Sequence, residues 1–250
     1  VKLHLLPDHC GSAAENMATD FLLLQRYPTA PSSVRFRHYI WQQPSITFGY
    51  SQKYALVREQ LDTLNPSEER FDLTRRATGG GLVDHRNDWT YALVIPRGHE
   101  LEARPASQSY RLVHEALATA LANQGIPAAL KLPNDTCGTA KIASAKPSLA
   151  AQCFHRAECF DVIRTDQSEE KIAGAAQKRS KHGLLFQGSV NRTAAGGEAT
   201  NWEQFHSDFT KALARLLDAE IEPVGWPDFA ETELEGLIEQ YSSPEWIEYR

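Results

Sequence analysis

The sequence predicts an α+β fold, a mixed central β-sheet flanked by helices. Strand-like runs at 90–95 and 184–190 are interleaved with long amphipathic helical stretches at 106–124 and 202–217. These stretches do not follow the regular strand–helix–strand rhythm of a doubly wound sheet. The chain of 250 residues, 42% of them apolar, is long enough for one sizeable core. The expected organisation is a single domain over 1–250, with 201–250 as its C-terminal helical part.

Each element has its own local reason. Residues 12–26 read as a helix capped by Ser12, with Glu15 three residues on to complete a capping box. Met17, Phe21, Leu22 and Leu24 form its apolar stripe, and Pro28 stops it. Residues 34–41 alternate like a half-buried strand, and 45–50 read as a second strand after a turn at Pro44. A short helix is expected over 57–64 and a short strand over 71–74. The strand at 90–95 is stopped by Pro96. The helix at 106–124 runs through Tyr110, Val113, Leu117 and Leu121 and ends at Gly125. Residues 131–151 are rich in small side chains and weakly periodic. Strands are expected at 160–163 and 184–190, a polar loop at 191–200, and helices at 202–217 and 232–241.

Whole-chain properties exclude several classes. A net charge of −6 gives no global field for nucleic acid or an anionic membrane. No run approaches the ~18 apolar residues of a membrane span. The first seven residues are too short for a signal peptide, so the cytoplasm is the expected compartment. The cysteines at 10, 137, 153 and 159 form no Cys-x-x-Cys pair, and no histidine stands at zinc spacing beside them. Neither a metal site nor a disulfide framework is expected.

The most unusual stretch is Arg75-Arg76-Ala77-Thr78-Gly79-Gly80-Gly81-Leu82-Val83-Asp84-His85. Three glycines bring no packing and lose the most backbone entropy on ordering, so they suit a sharp turn or a close approach to a ligand. The arginines add planar cationic donors. A glycine-rich turn with surface arginines is the plainer alternative. His85 is suited to orienting a ligand, or equally to ending a strand with a backbone partner. A cysteine nucleophile needs its thiolate, and a nearby ammonium raises that fraction. Lys171 opens Lys171-Ile172-Ala173-Gly174, where small residues let a long side chain reach across, although most lysines are simply solvated. Cys153 and Cys159 each precede phenylalanine and would share a face on an extended strand. Gln177 and Gln187 place amides in the same region.

Taken together, these motifs resemble the lipoate-protein ligase, octanoyltransferase and biotin ligase superfamily. The glycine stretch is similar to its Arg-Arg-x-Ser/Thr-Gly-Gly-Gly-x-Val-x-His signature. In order along the chain, Glu15-Asn16-Met17-Ala18-x-Asp20, 44–52, 88–92, 171–179, 185–190 and Tyr241-x-x-x-Glu245-Trp246 resemble further family segments. The resemblance implies a biotin/lipoate ligase-like catalytic fold. It also implies a substrate-binding set of Arg76, Gly79, Gly80, Gly81, Leu82, Val83, His85, Gly174 and Gln177. Cys153-Phe154 stands where the cysteine-dependent branch carries its nucleophile, with Asp161 at the acidic position beyond it. Cys153 and Lys171 are thus the implied catalytic pair, and Cys159 falls where the family usually has an aromatic residue. The form Thr90-Tyr91 and the lack of a further domain after 250 lean towards a transferase.

The sequence departs from the pattern in three places. Cys153 and Lys171 stand further apart, with 166–170 as a hairpin insertion. Asp84 replaces an aromatic residue, and a histidine expected after Gln187 is absent.

The implied activity is acyl transfer without a cofactor, from octanoyl-acyl carrier protein to a lysine of a lipoyl domain or a glycine cleavage H-type protein, by a monomer. The alternatives are an ATP- and Mg-dependent lipoate-protein ligase with Arg76 and Lys171 at an acyl-adenylate, an amidotransferase between lipoyl domains, and a non-catalytic binding protein.

Overall fold

The strongest strand signals of the sequence lie side by side at the centre of one sheet. The computed structural model describes residues 1–26, 33–64, 70–133, 157–166 and 169–250. Among these, the strands are β1 (Lys2–Leu5), β2 (His9–Gly11), β3 (Val34–Trp41), β4 (Ser45–Phe48), β5 (Asp72–Arg75), β6 (Leu82–Asp84), β7 (Asp88–Pro96), β8 (Ala128–Leu130), β9 (Val162–Arg164), β10 (Lys171–Ser180), β11 (Gly183–Asn191) and β12 (Glu220–Pro223). The helices are α1 (Ala13–Gln25), α2 (Tyr54–Leu64), α3 (Glu100–Ala103), α4 (Ala106–Asn123), α5 (Trp202–Leu216), α6 (Glu231–Ser242) and α7 (Pro244–Ile247).

The main sheet runs β12-β1-β3-β7-β11-β10-β9-β8, with β2 also paired to β3. Its β12/β1/β3 edge and the β2–β3 pair are parallel, and the rest is antiparallel. It is therefore mixed, as expected of an α+β fold. A second sheet, β5-β4-β6, carries the glycine run between two of its strands.

Alternation assigns the faces. Tyr91, Leu93 and Ile95 of β7 and Leu184 and Phe186 of β11 pack with Val113, Leu117 and Leu121 of α4 and Phe205, Phe209 and Leu213 of α5. Ala92, Val94 and Leu185 face the other way, onto Ala14, Met17 and Ala18 of α1 and Tyr241 of α6. Helices thus cover both faces of the sheet. This also corrects the reading of 34–41 as half-buried: the first six residues of β3 are all buried, because both faces are covered.

The capping box at the start of α1 is present, with Glu15 N–H donating to Ser12 Oγ at 3.1 Å. Gly125, φ +75°, ends α4 in the left-handed conformation expected of a helix-terminating glycine. Strand β12, within the C-terminal stretch, joins the main sheet in parallel beside β1.

Candidate active site

The glycine run is shaped by the protein's own backbone. Gly80 has φ +87°, a conformation that side chains disfavour. Gly49 lies so close to the loop that an added Cβ would stand 2.0 Å from the Gly80 carbonyl oxygen. Arg76 Nη2 donates to the Gly79 and Gly81 carbonyls at 3.0 and 2.9 Å. Gln52 Nε2 donates to the Gly80 carbonyl at 3.1 Å. All three glycine carbonyls are therefore held by donors from the protein itself.

Arg75 and Arg76 both bond the protein's own backbone, and Arg76 also lines the cavity described below. Arg76 Nη1 also donates to Thr47 Oγ1 at 2.7 Å. Arg75 is fully buried; its guanidinium donates to the carbonyls of Tyr50, Gln52, Trp246 and Ile247. Trp246 Nε1 returns a bond to the Arg75 carbonyl at 2.8 Å. The physical reason is that a rigid, always charged fork buried among carbonyls satisfies several acceptors at once.

Strand β6 sorts its residues by alternation. Leu82 packs into the small core with Ile46, Phe48 and Val57, while Val83 lines a cavity of about 90 Å³. That cavity is also lined by Arg76, Gly80, Gly81, His85, Lys171, Gly174 and Gln187. Gly79, whose added Cβ would meet nothing within 4 Å, is not among its lining residues.

His85 has side-chain partners at both ring nitrogens. Nδ1 donates to Asp88 Oδ2 at 2.6 Å, and Nε2 meets Thr47 Oγ1 at 2.7 Å. The ring stacks on Trp41 at 4.1 Å. Asp88 in turn accepts from Ser189 and Thr90. Gln187 is similarly tied, donating to Asp20 at 2.7 Å and accepting from Thr78 at 2.6 Å. Asp20 pairs with Arg37 at 2.7 Å in full burial. Desolvation raises the Asp20 pKa, while Arg37 opposes that shift.

On the opposite wall, strand β10 presents Lys171 and Gly174. Lys171 Nζ pairs with Asp161 Oδ2 at 2.8 Å. Gly174 makes room for this pair: a Cβ there would fall 2.7 Å from Lys171 Nζ and 3.0 Å from Asp161 Oδ1. Asp161 also accepts from Tyr110 at 2.5 Å and from the Glu158 N–H at 2.7 Å. A wider cavity of about 530 Å³ adjoins the first, and Lys171, Gly80, Gly81 and Ala175 line both. Gln177 lines the wider one and donates to the Ala106 carbonyl at 3.0 Å.

Cys153 lies outside the described residues. Cys159 sits at a turn before β9 rather than on a strand, next to Phe160 at φ +69°. Among the described residues no group of three or more His, Cys, Asp or Glu side chains could hold a metal ion. Among the same residues no helix is long and apolar enough to cross a membrane.

The structure thus brings Arg76, Gly80, Gly81, Val83, His85, Lys171 and Gly174 around one cavity. It places Gln177 in the adjoining one and Leu82 in the core. The sequence reading did not single out Tyr110, Thr47, Asp88 and Ser189 as site residues. For Tyr110 the available signal was a hydroxyl on an otherwise apolar helical stripe, which needs a partner once buried.

The cavity thus lies between a glycine loop on one wall and a lysine-bearing strand on the other. Residues 12–216 match the model of the lipoyl protein ligase A/B catalytic domain, and the chain belongs to that family. Octanoyltransferase LipM of Staphylococcus aureus is 24% identical over 265 residues, covering 93% of each chain. Its counterpart in Macrococcus caseolyticus is 24% identical over 275 residues, covering 97% of this chain and 96% of the relative. Among solved structures, lipoate-protein ligase A bound with ATP superposes with a TM-score of 0.73 at 18% identity, over 99% and 98% of the two chains. A bi-partite lipoate protein ligase from Thermoplasma acidophilum gives 0.69 at 18%, over 99% and 96%. These structures share the fold.

Proposed function

We propose that this protein is an acyltransferase of protein lipoylation, moving an octanoyl group from acyl carrier protein to a lysine of a lipoyl domain or a glycine cleavage H-type protein. The observation that carries the reading is the position of Lys171 between two adjoining cavities, in a chain similar over nearly its whole length to proteins named octanoyltransferase. The Cys153 thiolate attacks the donor thioester carbonyl. The carrier thiolate leaves and takes up a proton, and the acyl group stays on Cys153. The acceptor amine then attacks that second thioester, loses a proton and expels the Cys153 thiolate. Lys171 favours the thiolate and moves protons in both steps. Backbone N–H groups of Gly80 to Val83 face the oxyanion, and the apolar lining of the smaller cavity takes the carbon chain.

The reading needs no cofactor and assigns the protein to the cytoplasm as a single 1–250 domain. The ATP-dependent ligase alternative relies on Arg76 as a ligand for an acyl-adenylate. Arg76 is engaged by Thr47 and two loop carbonyls, which favours the transferase.

Incubation with octanoyl-acyl carrier protein, followed by intact mass, tests the proposal. One octanoyl adduct on the unmodified chain and none on Cys153→Ala is the expected result. ATP–pyrophosphate exchange with free octanoate that survives Cys153→Ala would replace the proposal with the ligase reading.

A further inference from the structure

We infer that Asp161 and Tyr110 are positioning residues that clamp the Lys171 ammonium at the boundary of the two cavities. The inference rests on the functional reading above for what Lys171 does there. The clamp itself is a matter of geometry.

The chain of contacts runs from α4 to β10. The Ala175 backbone N–H donates to Tyr110 Oη at 3.0 Å, which fixes the phenol against the strand. Tyr110 donates onward to Asp161 Oδ1, and Asp161 Oδ2 accepts both the Glu158 N–H and Lys171 Nζ. A carboxylate with two fixed donors cannot swing away, so it holds the lysine in one place.

Burial, and then the negative charge of Asp161, raise the Tyr110 pKa well above its ordinary value. The phenol therefore remains a donor throughout the neutral range. The side chain of Asp161 is 1% exposed and that of Lys171 11%, so the carboxylate lies behind and the ammonium forward, at the cavity wall.

Gly174 completes the clamp by omission. Any side chain there would occupy the space of Lys171 Cε and Nζ, 2.7 Å from the ideal Cβ position. His114 braces the arrangement from behind. Its ring packs edge-on to Tyr110 at 4.1 Å, and its Nδ1 donates to the Phe160 carbonyl next to Asp161.

A lysine held this way keeps a fixed distance and orientation to whatever reacts in front of it. Removing the clamp should lower turnover more than substrate affinity. A displacement of about 1 Å at a reacting group is enough to cost roughly 100-fold.

The test uses the intact chain and reads two quantities. The first is acetylation of Lys171 by acetic anhydride relative to the exposed Lys211, measured by peptide mass spectrometry at one pH. The second is kcat and KM for octanoyl transfer across a pH series. Asp161→Asn is expected to raise the Lys171 to Lys211 labelling ratio about tenfold, the equivalent of ~1.4 kcal/mol. It should lower kcat roughly 10- to 100-fold with KM held within about twofold, and change the shape of the pH profile. Tyr110→Phe, which removes only a hydroxyl, should lower kcat by a smaller factor, and Asp161→Glu should restore part of the loss. Unchanged labelling in Asp161→Asn overturns the clamp. Altered labelling with unchanged kcat and pH profile in both variants overturns its part in the reaction. If the unmodified chain forms no acyl-enzyme, the functional reading fails, and the labelling ratio still decides whether Lys171 is clamped.

Discussion

On the glycine-loop side of the cavity, Arg75 and Arg76 point into the protein and donate mainly to its carbonyls. On the β10 side, Lys171 is paired with the buried carboxylate of Asp161 and stands at the cavity wall. Both walls use cations, for different ends. The arginine forks hold a strained backbone in shape, and the lysine presents a charge to the space in front of it. Both motifs line the cavity, the glycine loop through Gly80, Gly81 and Val83 and the strand through Lys171 and Gly174.

Substitutions on each wall should separate these roles, and the largest effect is expected at Lys171. Lys171→Ala should lower octanoyl transfer by roughly 100- to 10,000-fold. Its urea midpoint should move less than that of the next variant, because Asp161 keeps Tyr110 and Glu158 as donors. Arg76→Ala should instead cost about 3 kcal/mol of stability, by leaving buried acceptors around the loop unsatisfied. Equilibrium urea unfolding measures it. Arg76→Lys should not rescue the loss, since an ammonium cannot reproduce the planar fork that spans Thr47 and two carbonyls.

Acid should weaken the scaffold as well. Burial pushes His114 down to about 4 and also lowers His38 and His206. A histidine whose folded value lies below its unfolded 6.5 takes up its proton more readily once unfolded. Its contribution is complete above about pH 6.5 and is lost as pH falls towards 4, roughly 3 kcal/mol for His114 alone. Asp20, raised by burial, works in the opposite sense. Urea midpoints at neutral pH and at pH 5 measure the net fall, and His114→Gln should flatten it.

The smallest effect is expected where a glycine-loop charge faces solvent. Asp84→Ala removes the partly exposed pair with Arg86 and should cost under about 1 kcal/mol by the same unfolding measurement.

How much of this was legible in the sequence depends on how local the cause is. Helix α1 was readable because Ser12 and Glu15 cap it within four residues. Strands β7 and β11 were readable because their apolar runs are long. Strands β1, β2 and β12 were not: each has only three or four residues, and their parallel partners lie far away in the chain. The inward turn of Arg75 depends on carbonyls 171 and 172 residues away. The Tyr110–Asp161 contact spans 51 residues. The small residues of 171–174 suggest room for a long side chain to reach across, and Gly174 gives that room to Lys171, whose Nζ lies 2.7 Å from the ideal Cβ position.

The reciprocal bonds between Arg75 and the 246–247 turn also bear on how the chain assembles during synthesis. A ribosome adds roughly 5–20 residues per second, so about ten seconds or more separate the emergence of Arg75 from that of its acceptors. Until residues 246 and 247 exist, the guanidinium of Arg75 lacks half of its partners, and the strand leading into the glycine loop has no clasp. The loop in the first half of the chain is therefore among the last parts of the protein to take its working shape.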